Sequence, residues 1–224
     1  MTHIVHPFAH RLGGKRIRDW KSKWSNVAGK EKYIEFLKTD TIVRDLLEKE
    51  LRGKYLSDIS IERDEKQYKV NLHTSRSGMI IGKSGDGVAK LKALIEKGLR
   101  KGGVEAPKNI SIDIVDIHSP ESDAGVVAAQ VVEGLERKMP FRRVLKTTVE
   151  KAMANKDVKG IKISASGRLG GAEMARKEYL KKGRIPLTTF RADVDYRSTR
   201  ANLPYGVIGV KVWIYRGDVF EKKN

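Results

Sequence analysis

Apolar positions along the chain change period several times, and each change marks an element. From Asp40, the residues Ile42, Val43, Leu46, Leu47 and Leu51 recur at spacings of three and four, which predicts an amphipathic helix capped by Asp40 and ended by Gly53. Two alternating runs follow. Ile59 and Ile61 are set against Asp58, Ser60 and Glu62, then Tyr68, Val70 and Leu72 against Lys69, Asn71 and His73, as strands with one buried face require. A short helix is expected around residues 77–81. A long one follows with Val88, Leu91, Leu94, Ile95 and Leu99, stopping at Gly102 and Gly103, and Ile110, Ile112 and Ile114 make a closing strand. The order helix, strand, strand, helix, loop, helix, strand fills 39–118.

The pattern starts again at Ser119, which suits a helix cap, with Pro120 in the first turn and Glu121 favouring the dipole. Val127, Val131, Val132 and Leu135 give that helix its apolar face before Pro140 breaks it. A second helix is expected from about Phe141 to Asn155, with Leu145, Val149, Ala152 and Met153 toward a core. Arg142, Arg143 and Lys146 gather on another side of it. Ile161, Ile163 and Ala165 then alternate as a strand. The run Gly167-Arg168-Leu169-Gly170-Gly171 leads into an expected third helix carrying Ala172, Met174, Ala175, Tyr179 and Leu180. Two further strands follow, one with Phe190, Ala192, Val194 and Tyr196, the last with Ile208, Val210, Val212 and Ile214. The expected class is α+β throughout, in three parts: a basic segment 1–38, a domain 39–118, and a second α+β domain 119–224 with helices packed on a small sheet.

Between the short and the long helix of the first domain stands Gly82-Lys83-Ser84-Gly85. Neither glycine has a Cβ, so the backbone can turn tightly and approach a phosphate, while Lys83 adds charge, Ser84 a donor, and the helix that follows its positive dipole end. The spacing excludes two other phosphate loops. A nucleotide P-loop needs a glycine five residues before Gly82, where Ser77 stands, and a dinucleotide fingerprint needs Gly or Ala where Lys90 stands. Loop and element order together match a type II KH domain (αββααβ), whose loop clamps the backbone of single-stranded RNA.

Charge agrees with that reading. The formal net charge is +18 over 224 residues, and the sequence pI is about 10.0, which implies a polyanionic partner. No run approaches a membrane-spanning length and the mean hydropathy is -0.48, so no membrane role is expected. The absence of cysteine excludes disulfides, thiolate metal sites and a cysteine nucleophile. A soluble intracellular protein is expected. In residues 1–30, Arg11, Lys15, Arg16, Arg18, Lys21, Lys23 and Lys30 face a single acid, Asp19, and are interleaved with Trp20 and Trp24. Such aromatics either stack on bases while the cations hold phosphate, or fold back on the core.

Catalytic and metal readings are thin. His3, His6 and His10 have helical spacing, but Pro7 interrupts it and no acid completes a ligand set. Asp193 and Asp195 share one face of an expected strand, where they can bind magnesium or pair with the flanking Arg191 and Arg197; pairing is the expected role. A DNA- or RNA-processing enzyme built on that pair, and a free-standing KH regulator or transcription factor using the glycine loop, are the two rival functions.

Several blocks closely resemble the family of the third protein of the bacterial small ribosomal subunit. They are Val5-His6-Pro7 with Arg11-Leu12-Gly13, Ser22-Lys23-Trp24, Ile80 through Gly85, Leu135-Glu136-Arg137 with Phe141-Arg142-Arg143, Ser166 through Glu173, and Tyr205 through Ile214. The resemblance spans essentially the whole chain, in order. Ile4 and Ala9 depart from the Lys and Gly usual there. The resemblance implies a structural, non-enzymatic RNA-binding protein of the subunit head, cytoplasmic and ribosome-bound, without cofactor or metal. Its implied partners are small-subunit rRNA, mRNA and the neighbouring head proteins ten and fourteen. Gly82, Lys83, Ser84 and Gly85 are then the RNA-binding loop. Arg142, Arg143 and Lys146 line the channel where mRNA enters and help to unwind it. Arg11, Lys15, Arg16, Lys21, Lys23, Trp24 and Arg168 are the expected rRNA contacts.

Overall fold

The computed structural model describes residues 5–12, 19–25, 29–64, 67–104, 107 and 109–220. The chain divides into two compact units, Trp20–His118, and Ser119–Asn224 together with Met1–Asp19.

In the first unit, strands β1 (Ser22–Trp24), β2 (Leu56–Arg63), β3 (Tyr68–Thr74) and β4 (Ile110–Asp116) lie side by side in chain order. The β2–β3 pair is antiparallel and the outer two pairs are parallel. Helices α1 (Lys30–Glu50) and α3 (Asp86–Lys101) cover the sheet, with the short α2 (Ser77–Ile81) before the loop. Val43, Leu47 and Leu51 of the α1 end meet Ile59, Ile61, Val70 and Leu72 from the strands and Leu91, Ile95 and Leu99 from α3. The alternation in β2 and β3 therefore reports burial directly.

The helix does not begin at Asp40. It begins ten residues earlier, at Lys30, and passes straight through the expected 38/39 boundary. Asp40 is 2% exposed, an interior residue that accepts hydrogen bonds from Trp24 Nε1 at 2.8 Å and from the Tyr68 hydroxyl at 3.0 Å, with Arg63 Nη2 at 3.7 Å. Burial first, and then the Asp40 carboxylate, push the Tyr68 hydroxyl well above its ordinary titration range. The Arg63 guanidinium also lies over the rings of Phe36 and Tyr68, at 4.1 and 4.7 Å. Arg44 fastens β1 to β2 by donating to the carbonyls of Ile59 and Lys21 and to Ser22 Oγ.

The second unit is an antiparallel sheet in the order β6-β5-β8-β7, formed by β5 (Gly160–Gly167), β6 (Arg176–Gly183), β7 (Ala192–Leu203) and β8 (Gly206–Asp218). Helices α4 (Ala124–Glu136) and α5 (Phe141–Ala154) lie on one face. Val127, Val131, Leu145 and Val149 pack there on Ile161, Ile163, Val210 and Val212.

Three expectations fail here for physical reasons. The expected third helix is the strand β6, paired residue by residue with β5 from Gly160↔Gly183 to Gly167↔Arg176. As an edge strand it is almost wholly exposed, so its outward face needs no polar alternation and the apolar spacing mimics a helix. Asp123, not Ser119, caps α4: its Oδ1 accepts from the amides of Gly125 and Val126, while Ser119 pairs with Ser122 in a short 3₁₀ turn. The segment 1–38 is not one tail either. Its Ser22–Trp24 stretch is a strand of the first sheet, and Arg11 is built into the second unit.

Because Asp40 joins α1, β1 and β3 through one buried carboxylate, removing it strands Arg63 without a counter-charge. We expect Asp40→Ala to cost the first unit about 3–5 kcal/mol, read as a loss in urea-unfolding free energy, with Asp45→Ala on the exposed side of the same helix as the near-neutral control.

Candidate nucleic-acid interface

The glycine loop follows from its backbone. Gly82 (φ 71°) and Gly85 (φ 85°) both occupy the positive-φ region, and Ser84 between them is forced there as well, at φ 54°. Gly87 acts differently. A Cβ on it would stand 2.1 Å from the Ile80 carbonyl oxygen, so its hydrogen is what lets α3 start directly against α2. The result is a tight exposed turn with Lys83 and Ser84 outermost, the α3 N-terminus behind it, and the half-exposed side chains of Met79 and Ile81 beside it. Arg76, over the Tyr55 ring at 4.2 Å, adds a cation just before α2. The arrangement offers backbone donors, a point charge and an apolar shoulder at one place, which suits a phosphodiester backbone carrying unpaired bases.

The second cationic surface lies on the other unit, where α5 runs beside β6. Arg142, Arg143 and Lys146 are all exposed on α5. They are not equivalent. Arg142 is held by Glu178 of β6, Nη2 to Oε1 at 3.3 Å, and its guanidinium stands 5.6 Å from the Phe141 ring centre. Arg143 and Lys146 make no ion pair among the described residues. A groove of about 470 Å³ separates α5 from β6, floored by Leu145, Val149 and Leu180 and rimmed by Arg142, Lys146 and Lys182. Glu178 and the β6 lysines were missed as part of this surface because their segment reads as a helix. The signal that could have found them is the run Arg176-Lys177-Glu178-Tyr179-Leu180-Lys181-Lys182, whose charge density suits an edge strand.

The other expected rRNA contacts are placed less simply. Arg11 is 3% exposed and donates to five carbonyls, those of Ala192, Pro7, Pro186, Leu187 and Thr189, so it is consumed by the fold and has no free face for phosphate. Arg168 is similarly engaged, bonding the carbonyls of Ala172 and Tyr205 and so closing the turn that leads to β6. Trp24 gives its indole N–H to Asp40 and packs edge-on against Tyr33 and Phe36, the fold-back alternative. Lys21 pairs with Asp58 at 2.6 Å, and Lys23 is exposed. Lys15 and Arg16 lie outside the described residues. Trp20 is 63% exposed.

The catalytic candidates disperse. Asp195 accepts from the Ala124 amide at 2.9 Å and from Arg216 Nη2 at 3.0 Å, and Asp193 reaches the same Arg216 at 3.9 Å. Both thus reach Arg216, while Arg191 pairs with Asp218. His6 and His10 pack against Tyr196 and Phe190, and no metal-ligand group is found among the described residues.

Comparison with known proteins supplies two family matches. Residues 42–122 match the KH domain, and residues 131–214 match the C-terminal domain of ribosomal protein S3. Over the full length, the chain is 43% identical to small ribosomal subunit protein uS3 of Clostridium tetani, covering all of this chain and 96% of that protein. It is 44% identical over 222 residues to uS3 of Endomicrobium trichonymphae, covering 99% of this chain and 90% of that one. The uS3 of Clostridium novyi is 42% identical across all 224 residues.

The KH match makes the loop testable by itself. Lys83→Asp with Ser84→Asp should weaken binding of single-stranded RNA roughly tenfold or more, since two carboxylates would face phosphate, and should leave the circular dichroism and melting of the chain unchanged. Gly87→Ala should fail differently, lowering both melting temperature and affinity because α2 must move, whereas Gly78→Ala meets open space and should change neither.

Proposed function

The chain belongs to the family of small ribosomal subunit protein uS3, and from that premise we propose that it is a structural constituent of the small-subunit head that binds rRNA and helps form the channel through which mRNA enters. Membership makes it a ribosomal RNA-binding component and not an enzyme. In this reading it works ribosome-bound in the cytoplasm, beside head proteins ten and fourteen. Tyr33, Ile34 and Leu37, all exposed along α1, offer protein neighbours an apolar face. Anchoring to rRNA falls to Lys83 and Ser84 at the glycine loop, Lys23 and Trp20 near β1, and Lys15 and Arg16 in the basic segment.

The observation that carries the mRNA part is the cationic face of α5. Arg143 and Lys146 are exposed and make no ion pair among the described residues, and Arg142 is paired with Glu178 at an exposed place, a contact of a kind worth well under about 1 kcal/mol. Three such cations on one side of a helix hold a single strand through its phosphates, with a salt slope of about two. That grip is weak enough for a strand to slide. By favouring separated strands over duplex at the mouth of the channel, these cations let subunit movement open messenger hairpins without a nucleotide-driven motor.

Replacing Arg142, Arg143 and Lys146 together by Ala should leave subunit assembly and translation of unstructured messages near normal, while elongation through a stable downstream hairpin slows several-fold. Arg143→Ala with Lys146→Ala should account for most of that slowing, because Arg142 is shared with Glu178. Equal hairpin transit times for mutant and wild-type ribosomes overturn the reading, and an assembly defect assigns the three residues to rRNA.

A further inference from the structure

The sheet of the second unit has two faces, and only one is covered by helices. Ile161, Ile163 and Ala165 of β5 lie under α4 and α5, so the alternate residues Lys162, Ser164 and Ser166 face the other way. Register sets them in rows: Lys181, Lys162 and Trp213; Tyr179, Ser164 and Lys211. One end of this second face is closed by a small core of Ala192, Val194, Trp213 and Tyr215, with Ile185, Leu187 and Tyr196 packed on it. The rest is bare. Lys177, Lys181 and Lys211 are exposed there, and Tyr179 is 63% exposed.

No strand carboxylate of this unit answers those charges. Glu178 alternates to the helix side and meets Arg142, Asp195 bonds the α4 N-terminus, Asp193 reaches Arg216, and Asp218 sits beside the Tyr215 hydroxyl at the covered end. Lysines on an exposed edge strand ordinarily guard against pairing with another chain, which accounts for Lys177 and Lys181. It does not account for Lys162 and Lys211, which stand on the interior strands β5 and β8. Lys162 moreover holds its ammonium between two rings, 5.0 Å from Tyr179 and 5.3 Å from Trp213, so the exposed tyrosine is braced beside a cation.

We propose that this bare face is a second RNA platform, binding a single-stranded RNA segment with Tyr179 stacked on a base and Lys162, Lys177, Lys181 and Lys211 on the flanking phosphates. Strand spacing sets the patch at about 10 by 13 Å, the footprint of a few nucleotides. An acidic peptide would satisfy the four lysines but has no use for an exposed, braced aromatic ring, and duplex RNA presents no free base to it. The site lies on the opposite side of the sheet from α5 and does not depend on the mRNA reading of that helix.

The test is fluorescence anisotropy of a short labelled oligouridylate on the full chain, titrated with salt, in a background carrying Lys83→Asp and Ser84→Asp so that the loop does not mask the platform. Changing the four lysines to Gln should lower the salt slope by about two to three, and Tyr179→Ala should weaken binding roughly tenfold with the slope nearly unchanged. Because Lys162 braces Trp213, the pair Lys177→Gln with Lys181→Gln, both at the exposed edge, serves as the variant that cannot fail through folding; its slope should fall by about one. The inference is overturned if oligouridylate does not bind in that background, if affinity and slope match the unmutated background, or if polyglutamate competes as well as the oligonucleotide. Loss of binding confined to the Arg142, Arg143 and Lys146 variant overturns it too, while leaving the mRNA reading intact.

Discussion

A buried carboxylate with three partners from three elements holds the first unit in its particular register. Asp40 ties the indole of Trp24 to the hydroxyl of Tyr68 and to the guanidinium of Arg63, at a depth where an unpaired charge would be costly. The position of β1 depends on it, since a strand of three residues has few ladder bonds to fix its place; Asp40 and Arg44 supply the rest. With that sheet fixed, β3 delivers the chain to α2 and α2 to the glycine loop, so a buried ionic contact sets where an exposed phosphate-seeking turn is presented.

The same economy appears in the second unit, where arginines are spent on carbonyls. Arg11 saturates its guanidinium with backbone oxygens and Arg168 closes the Gly167–Gly171 turn. Five donors in a rigid planar fork make arginine suited to this, and a lysine at either place would leave carbonyls unmet. The cations left on the surface include Lys83, Arg143, Lys146 and the lysines of β5, β6 and β8.

That division explains what the sequence disclosed and what it withheld. The glycine loop was legible because its constraint is local: positive φ at Gly82 and Gly85 and the close approach at Gly87 are needs of adjacent residues. The alternation of β2 and β3 and the faces of α3 and α5 were legible because burial imposes a period. The start of α1 was hidden because Asp40 looks like a cap until its partners at Trp24, Arg63 and Tyr68 are known, and these lie up to 28 residues away. The strand β6 was hidden because an exposed edge is under no pressure to alternate. Arg11 and Arg168 stand among the expected contacts because composition counts a cation in the same way whether it faces phosphate or bonds carbonyls.

A net charge of +18 works against compactness in the free chain, since like charges on one small surface repel. The fold tolerates it by pairing cations where they are dense and acids are near, as in Lys69 with Asp113 and Arg176 with Glu178, and by leaving the others exposed where water screens them. Exposed, unpaired cations contribute nothing to the fold and some repulsion against it. A polyanion bound by the folded chain and not by the unfolded one reverses that sign: each phosphate contact removes repulsion and adds binding free energy to stability. The surfaces that destabilise the isolated protein are thus the ones through which an RNA partner would stabilise it, and the chain is best suited to exist bound.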